Sequence, residues 1–275
     1  ISLILSIIAS VNVFSFADLY DYNRNNSTTI MRMKPVLKHY NNLMESEIAE
    51  QTEKYVDTQG HFGEKYIARL AALEIIVGDG VSKFIPNDTL LACQYLKMIV
   101  MAIGYTPEVV PGGSWWEPFV ELALEEGIVE KGEIKDYTQP ISRELAGVIG
   151  FRTLMKYKER PTGEYEWYNY NKSKISDYMQ ISEKYRDDVV MAYRMGILQG
   201  SNNLYVPKGT LTRAQAAVIV NKLLDDTLRI ESVPKPEEAI VYKRRENMNP
   251  RMFSYKPGEE FTIYPGDFAL NEMYD

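Results

Sequence analysis

The sequence predicts a mainly α fold built from three tandem copies of a two-helix unit, with a small β-leaning tail at the C-terminal end. Three observations carry this. The same order of elements recurs three times between Tyr55 and Leu224, and a period of this size is read as a repeat before anything else. Apolar residues within each copy follow helical rather than strand spacing. Glycines, prolines and capping residues fall at matching places, as helix stops and starts require.

The chain has 275 residues, 45% hydrophobic and 25% charged, which is ordinary globular composition with enough apolar material for a core. Asp and Glu total 38 against 31 Lys and Arg, giving a net charge of -7, so bulk electrostatics argues against nucleic acid as a partner. An acidic chain still holds an anionic polymer where a few arginines gather in a groove, because guanidinium contacts are local. Cys93 is the only cysteine, which excludes a disulfide framework and a cysteine-rich zinc site. It is expected to be a small buried residue on a helix.

Residues 1–17 carry no charge, and Ile1 to Val13 is almost continuous in Ile, Leu, Val and Ala before the small residues of Ser15-Phe16-Ala17. This predicts a signal peptide, incomplete at its start since it lacks Met and a basic region, with Asp18 as the first mature residue. A retained membrane anchor is the alternative. Either reading places the remainder outside the cytosol. Residues 18–54 form a polar leader with one amphipathic helix from about Pro35 to Glu53.

The first unit, 55–106, reads Tyr55-Val56-Asp57, a helix through Tyr66, Ile67, Leu70 and Leu73, a turn at Gly78-Asp79-Gly80, Phe84-Ile85-Pro86, and a second helix from about Thr89 to Ile103. The second, 107–157, places a helix through Phe119, Val120 and Ala123 before Glu126-Gly127-Ile128-Val129, and Pro140-Ile141-Ser142-Arg143-Glu144 before another. The third, 175–226, has Ile175-Ser176-Asp177, a helix through Val189, Val190 and Tyr193, Gly196-Ile197-Leu198-Gln199-Gly200, Tyr205-Val206-Pro207, and Thr212-Arg213-Ala214-Gln215 opening the last helix.

The local logic is the same throughout. Gly127 and Gly196 stand where a left-handed residue closes a helix. Pro86, Pro140 and Pro207 are expected to keep the approach to the next helix extended. Thr212 with Gln215 makes a capping box, and Ser142 caps alone, since Leu145 cannot return the bond. Residues 158–174 interrupt the period with a Tyr-rich insertion, read as a solvated loop with locally packed rings or as a carbohydrate-stacking patch. Residues 227–275 form a linker and tail, with a strand expected at Glu260 to Tyr264.

These motifs resemble the S-layer homology family: an aromatic-x-Asp start, a Gly-Ile-x-x-Gly turn, a Phe/Tyr-x-Pro segment and a Thr-Arg-Ala-Glu signature. The resemblance covers about Tyr55 to Leu224 and is best in the third unit. It implies a pseudo-threefold intrachain trimer of repeats that binds pyruvylated secondary cell-wall polysaccharide in grooves between them, with no cofactor. It further implies a secreted, wall-bound protein, free of the membrane after signal cleavage, that self-associates in a surface layer. By position, the ligand residues implied are Arg213 and Arg143 with Thr212 and Ser142 before them, Asp57 and Asp177, Trp116, and Gly200. The first unit departs from the pattern: Leu91-Ala92-Cys93-Gln94 lacks the arginine, so fewer than three working grooves are expected.

Enzyme readings find little support. His39 and His61 are the only histidines and make no zinc motif, and the phosphate-binding glycine loops and the Gly-x-Ser-x-Gly elbow are missing. Adjacent acidic pairs such as Glu125-Glu126 and Asp187-Asp188 cannot flank a sugar from opposite sides. Two alternatives to plain anchoring stay open: the anchoring part of a wall-associated hydrolase, and a degenerate repeat module used for protein contacts.

Overall fold

The computed structural model describes residues 27–109, 111–157, 166–233, 240–243 and 260–263. The expected signal segment and most of the tail lie outside them. The described chain is mainly helical.

The leader is two helices rather than one. Helix α1 (Ser27–Asn41) contains Pro35, and α2 (Glu45–Lys54) follows a short break. At the break the Asn42 side chain donates to the Lys38 carbonyl at 2.6 Å, the local competition with helical bonding that asparagine favours. Glu47 then accepts from the Met44 amide at 2.7 Å and opens α2. Met33 and Tyr40 of α1 are buried. The Tyr40 hydroxyl donates to buried Asn221 at 2.8 Å, so the leader is stitched into the core.

Each of the three spans contributes two helices. They are α3 (Glu64–Ala72) and α4 (Ala92–Ala102), α5 (Glu117–Glu125) and α6 (Arg143–Tyr157), and α8 (Arg186–Arg194) and α9 (Arg213–Leu224). Between them, α7 (Glu166–Ser173) occupies the Tyr-rich insertion, where Tyr168 and Tyr170 are buried and the Tyr168 hydroxyl donates to Asp187 at 2.6 Å. These two rings pack inward, and they do so from a helix where the sequence reading expects a loop. In the tail, β1 (Ile240–Lys243) and β2 (Glu260–Ile263) form an antiparallel pair with Ile240 opposite Ile263.

The second helix of each pair is the more deeply buried. In α6 every residue from Glu144 to Phe151 is buried, and its glycines are there for space: a Cβ on Gly147 would lie 2.2 Å from the Tyr205 hydroxyl. Cys93 is buried at the start of α4, as expected. The segments leading into α4, α6 and α9 join one another in a closed ring of antiparallel bridges, Thr89 with Thr212, Leu91 with Pro140, and Ser142 with Thr210. Leu90 donates to the Leu211 carbonyl at 2.8 Å and accepts from Ile141 at 3.1 Å. Leu90, Ile141 and Leu211 are each 1% exposed, so the apolar centre of the ring packs into the core, while Thr89, Pro140 and Thr210 are exposed at its edge.

Gly127 and Gly196 take the left-handed conformation expected of them, with φ of 64° and 68°. Glu74 holds the corresponding place after α3 at φ 59°, without glycine's freedom. At Gly196 space adds to conformation, because a Cβ would come within 2.7 Å of the Ile230 carbonyl oxygen. Gly196→Ala is expected to lower unfolding free energy by about 1–3 kcal/mol, read from urea melts, through forced left-handed strain and displacement of the 230 segment.

Glu126, after α5, accepts from the hydroxyls of Tyr105 and Tyr157 and from Lys156 at 2.7 Å. Burial works against its charge, but the bonds from Lys156, Tyr105 and Tyr157 outweigh it and hold the carboxyl below the usual glutamate value. A carboxylate depressed by folding stabilises above its unfolded pKa, about 4.3, and loses that contribution as pH falls through the folded value. Thermal melts from pH 6 to pH 3 should therefore show a steeper fall in Tm for the unmodified chain than for Glu126→Gln.

Candidate ligand cleft at Arg213

Two aspartates and two arginines build the same local structure twice. Asp57 accepts from the amides of Phe84 and Ile85, each at 2.8 Å. Asp177 does the same for Tyr205 at 2.8 Å and Val206 at 2.7 Å. Each clamp pins a β-branched residue in the left-handed region, Ile85 at φ 60° and Val206 at φ 56°. The residues before Pro86 and Pro207 are thus not extended as the prolines led one to expect. A branched side chain with positive φ costs about 1–3 kcal/mol, and both carboxylate oxygens of each aspartate are spent imposing it. The conformation turns the carbonyls of Phe84 and Tyr205 toward the arginines.

Arg213 donates through Nε to the Phe84 carbonyl at 2.9 Å and through Nη2 to the Val77 carbonyl at 3.0 Å. Arg143 repeats this on Tyr205 at 2.9 Å and Gln199 at 3.1 Å. The guanidinium lies 4.4 Å from the Phe84 ring centroid in one case and 5.7 Å from that of Tyr205 in the other. Burial pulls both arginines below their usual pKa, yet a guanidinium stays charged at any physiological pH. Two of five N–H donors are committed at each, and the fork is held in place by the backbone.

The helix amides beside the arginines are not available to a ligand. Arg213 and Ala214 donate theirs to Asp88 at 2.9 Å and Pro86 at 3.0 Å; Arg143 and Glu144 donate to Gly209 at 2.8 Å and Pro207 at 3.0 Å. Ala92 and Cys93 make the same pair of bonds, to Gln139 and Tyr137, both at 2.9 Å, so the third position keeps the backbone and lacks the guanidinium.

Thr212 accepts from the Gln215 amide at 3.2 Å while Gln215 accepts from the Thr212 amide at 3.0 Å, the expected capping box. Ser142 accepts from Leu145 at 3.4 Å. Gly200 belongs to a tight turn, where a Cβ would fall 1.7 Å from the Leu204 carbonyl oxygen.

Arg213 lines a cleft of about 280 Å³ together with Val77, Gly78, Phe84, Gln94 and Trp115. A second cleft, about 340 Å³, continues past the same arginine to Asp79, Ile85 and Asp88. Asp79 is fixed there by the amides of Val81, Ser82 and Lys83, and the backbone bonds from Lys83 and Val81 hold its carboxyl below the usual range.

The tryptophan in the cleft is Trp115, 43% exposed, and not Trp116. Trp116 is partly buried, 5.8 Å from the Tyr137 ring. Counting back from the helix starts finds the difference: Gly63, Trp116 and Tyr185 each precede a helix, so Phe62, Trp115 and Lys184 share the place one residue earlier. The cleft also includes Lys97, a lone charge in the apolar run Tyr95-Leu96-Lys97-Met98-Ile99.

With this geometry in view, residues 174–217, which hold the Asp177 clamp and Arg213, match the family model of the S-layer homology domain. The chain carries an S-layer homology domain. It is 29% identical over 188 residues to an amylopullulanase of Thermoanaerobacterium thermosulfurigenes, covering 64% of this chain and 10% of that protein. It is 27% identical over 192 residues to exoglucanase XynX of Acetivibrio thermocellus, covering 66% and 17%. An endoglucanase of Bacillus sp. (strain KSM-635) is 26% identical over 189 residues, covering 63% and 19%. The chain thus spans a tenth to a fifth of the length of these curated relatives. An S-layer homology domain is a binding module of the cell surface, and it assigns the chain to cell-wall attachment in general terms. Among the described residues no helix is long and apolar enough to cross a membrane.

Asp177→Ala is expected to lower unfolding free energy by about 2–4 kcal/mol, since it strands two amides and leaves the left-handed conformation of Val206 without the bonds that hold it. Adding Val206→Gly should recover part of the loss, a coupling that a double-mutant cycle in urea measures directly.

Proposed function

We propose that this chain anchors a secreted protein to the bacterial wall by holding secondary cell-wall polysaccharide, with an acidic group such as a pyruvyl ketal set against Arg213. The observation that carries this is a guanidinium fixed by two carbonyls at the wall of a cleft, beside an exposed tryptophan. A fixed fork meets a carboxylate without further ordering, and an indole face beside it takes the apolar side of a sugar ring. The three spans are then three repeats about a pseudo-threefold axis, a reading supported by the ring of bridges that joins their second helices. Arg143 makes a second site of the same kind. Asp57, Asp177, Thr212, Ser142 and Gly200 shape the backbone on which the arginines rest, and Trp116 packs against Tyr137 outside the cleft. Self-association in a surface layer would follow from dense attachment to one polymer.

A second reading, that this is the anchoring part of a longer wall-associated hydrolase, is favoured by one observation: the matched relatives are named as enzymes, and the chain spans only a small share of each.

Co-sedimentation with purified sacculi tests the first proposal. The chain should pellet with intact walls and stay in solution once the secondary polymer is chemically stripped; retention that ignores stripping removes the ligand class. Arg213→Ala should weaken pelleting about ten- to a hundredfold, the range of a lost charge-assisted pair, with helix content unchanged.

A further inference from the structure

The two arginine sites share a backbone but not their surroundings. In the Arg213 cleft, α4 contributes Lys97, five residues beyond Ala92. Ala92 and Arg213 occupy matching helix starts, so the matching place in α9 is Val218, which carries no charge. Lysine 222 of α9 does not replace it, because its ammonium donates to the Gly196 carbonyl at 2.8 Å. At the Arg143 site the turn that receives the guanidinium is strapped by the chain itself: the Gln199 side chain donates to the Ile230 carbonyl at 3.0 Å, and Ser232 donates to that of Arg194 at 2.7 Å.

Lys97 is partly buried, and among the described residues no carboxylate lies within 4.0 Å of it and no hydrogen bond is formed by its ammonium. Its nearest partners are the rings of Trp115 and Phe119, each 5.9 Å from Nζ. Burial, and secondarily the charge of Arg213, pull its pKa down. Two cations thus line one cleft without an anion of the chain to neutralise Lys97, an arrangement that costs folding energy and is relieved by an incoming anion.

We propose that Lys97 is a specificity residue of the Arg213 cleft, which takes a stretch of polysaccharide bearing two anionic groups, one on the guanidinium and the second, carboxylate or phosphate, on the Lys97 ammonium. This rests on the anchoring role of Arg213. The Arg143 site, with Val218 in the matching place, reads a single charge.

The test compares the unmodified chain with Lys97→Met, Lys97→Arg and Arg213→Ala by co-sedimentation with intact sacculi across a salt series, alongside thermal melts. Lys97→Met should bind about tenfold more weakly at low salt with a flatter salt dependence. It should also melt higher, since an unpaired, partly buried charge is gone, whereas a lysine that only supports the fold would melt lower when replaced. Lys97→Arg should restore binding. Walls freed of phosphodiesters and walls freed of ketal carboxylates separate the two sources: the treatment that abolishes the difference between Lys97→Met and the unmodified chain names the second group. Should Lys97→Met bind with unchanged affinity and salt dependence while Arg213→Ala loses binding, the Lys97 inference falls and the anchoring reading stands. Should neither variant change binding, the anchoring reading falls and takes the inference with it. If Lys97→Met does not fold, Lys97→Gln carries the same comparison.

Discussion

The ring of bridges among the segments before α4, α6 and α9 is the constraint on which the rest depends. Each segment is too short to stand as a strand, and its central residue, Leu90, Ile141 or Leu211, is buried. An unpaired amide there would cost about 1–3 kcal/mol. Pairing the three segments with one another satisfies these groups in the centre of the core, with Leu90, Ile141 and Leu211 filling the space around them. The helices that follow are then launched from fixed positions. Small residues on α6 and α9, such as Gly147, Ala216 and Ala217, let the helices approach closely enough to bury the apolar stripe of each.

From that ring the site follows by geometry. A helix starting beside a neighbouring span's Phe/Tyr-x-Pro segment presents its first side chain to that segment's carbonyls, and when the side chain is arginine it is caught by them. The aspartate clamp is what makes those carbonyls available, at the cost of a strained Ile85 or Val206. Strain of this kind persists only where surrounding contacts over-determine it, and here two charge-assisted bonds do so. The aspartates and capping hydroxyls thus bond to backbone amides and shape the segments that hold the arginines.

Much of this was legible in the sequence. Glycines 127 and 196, the Thr212–Gln215 box, buried Cys93 and the two-helix rhythm all follow from local rules of spacing and conformation, and the structure has them in place. What was not legible depends on long-range partners. A proline predicts an extended predecessor, but the Asp57 and Asp177 clamps, 28 and 29 residues away in sequence from Ile85 and Val206, override that preference. The leader's break at Asn42 is set by one side-chain bond that apolar periodicity does not register. Trp115 and Trp116 differ only in which of two adjacent rings precedes the helix start, and boundaries are the least certain part of any pattern. The carbonyls that take the helix N-terminal amides of Arg213 and Arg143 lie on neighbouring spans and leave no local signal in the sequence.

The chain is acidic overall, and this sharpens what a cationic cleft does. A net charge of -7 repels an anionic polymer at long range, so attraction begins only within a Debye length, about 8 Å at physiological salt. Inside that distance the local charges dominate: Asp57 faces two amides and Asp79 faces three, while Asp88 lines the outer cleft beside Arg213. In the proposed anchoring role the guanidinium sets a local positive charge against a ligand already in contact, while the net charge opposes non-specific adsorption to an anionic polymer. In the anchoring role proposed above, selectivity rests on the fit of an acidic sugar between a held guanidinium and an exposed indole, and not on bulk charge.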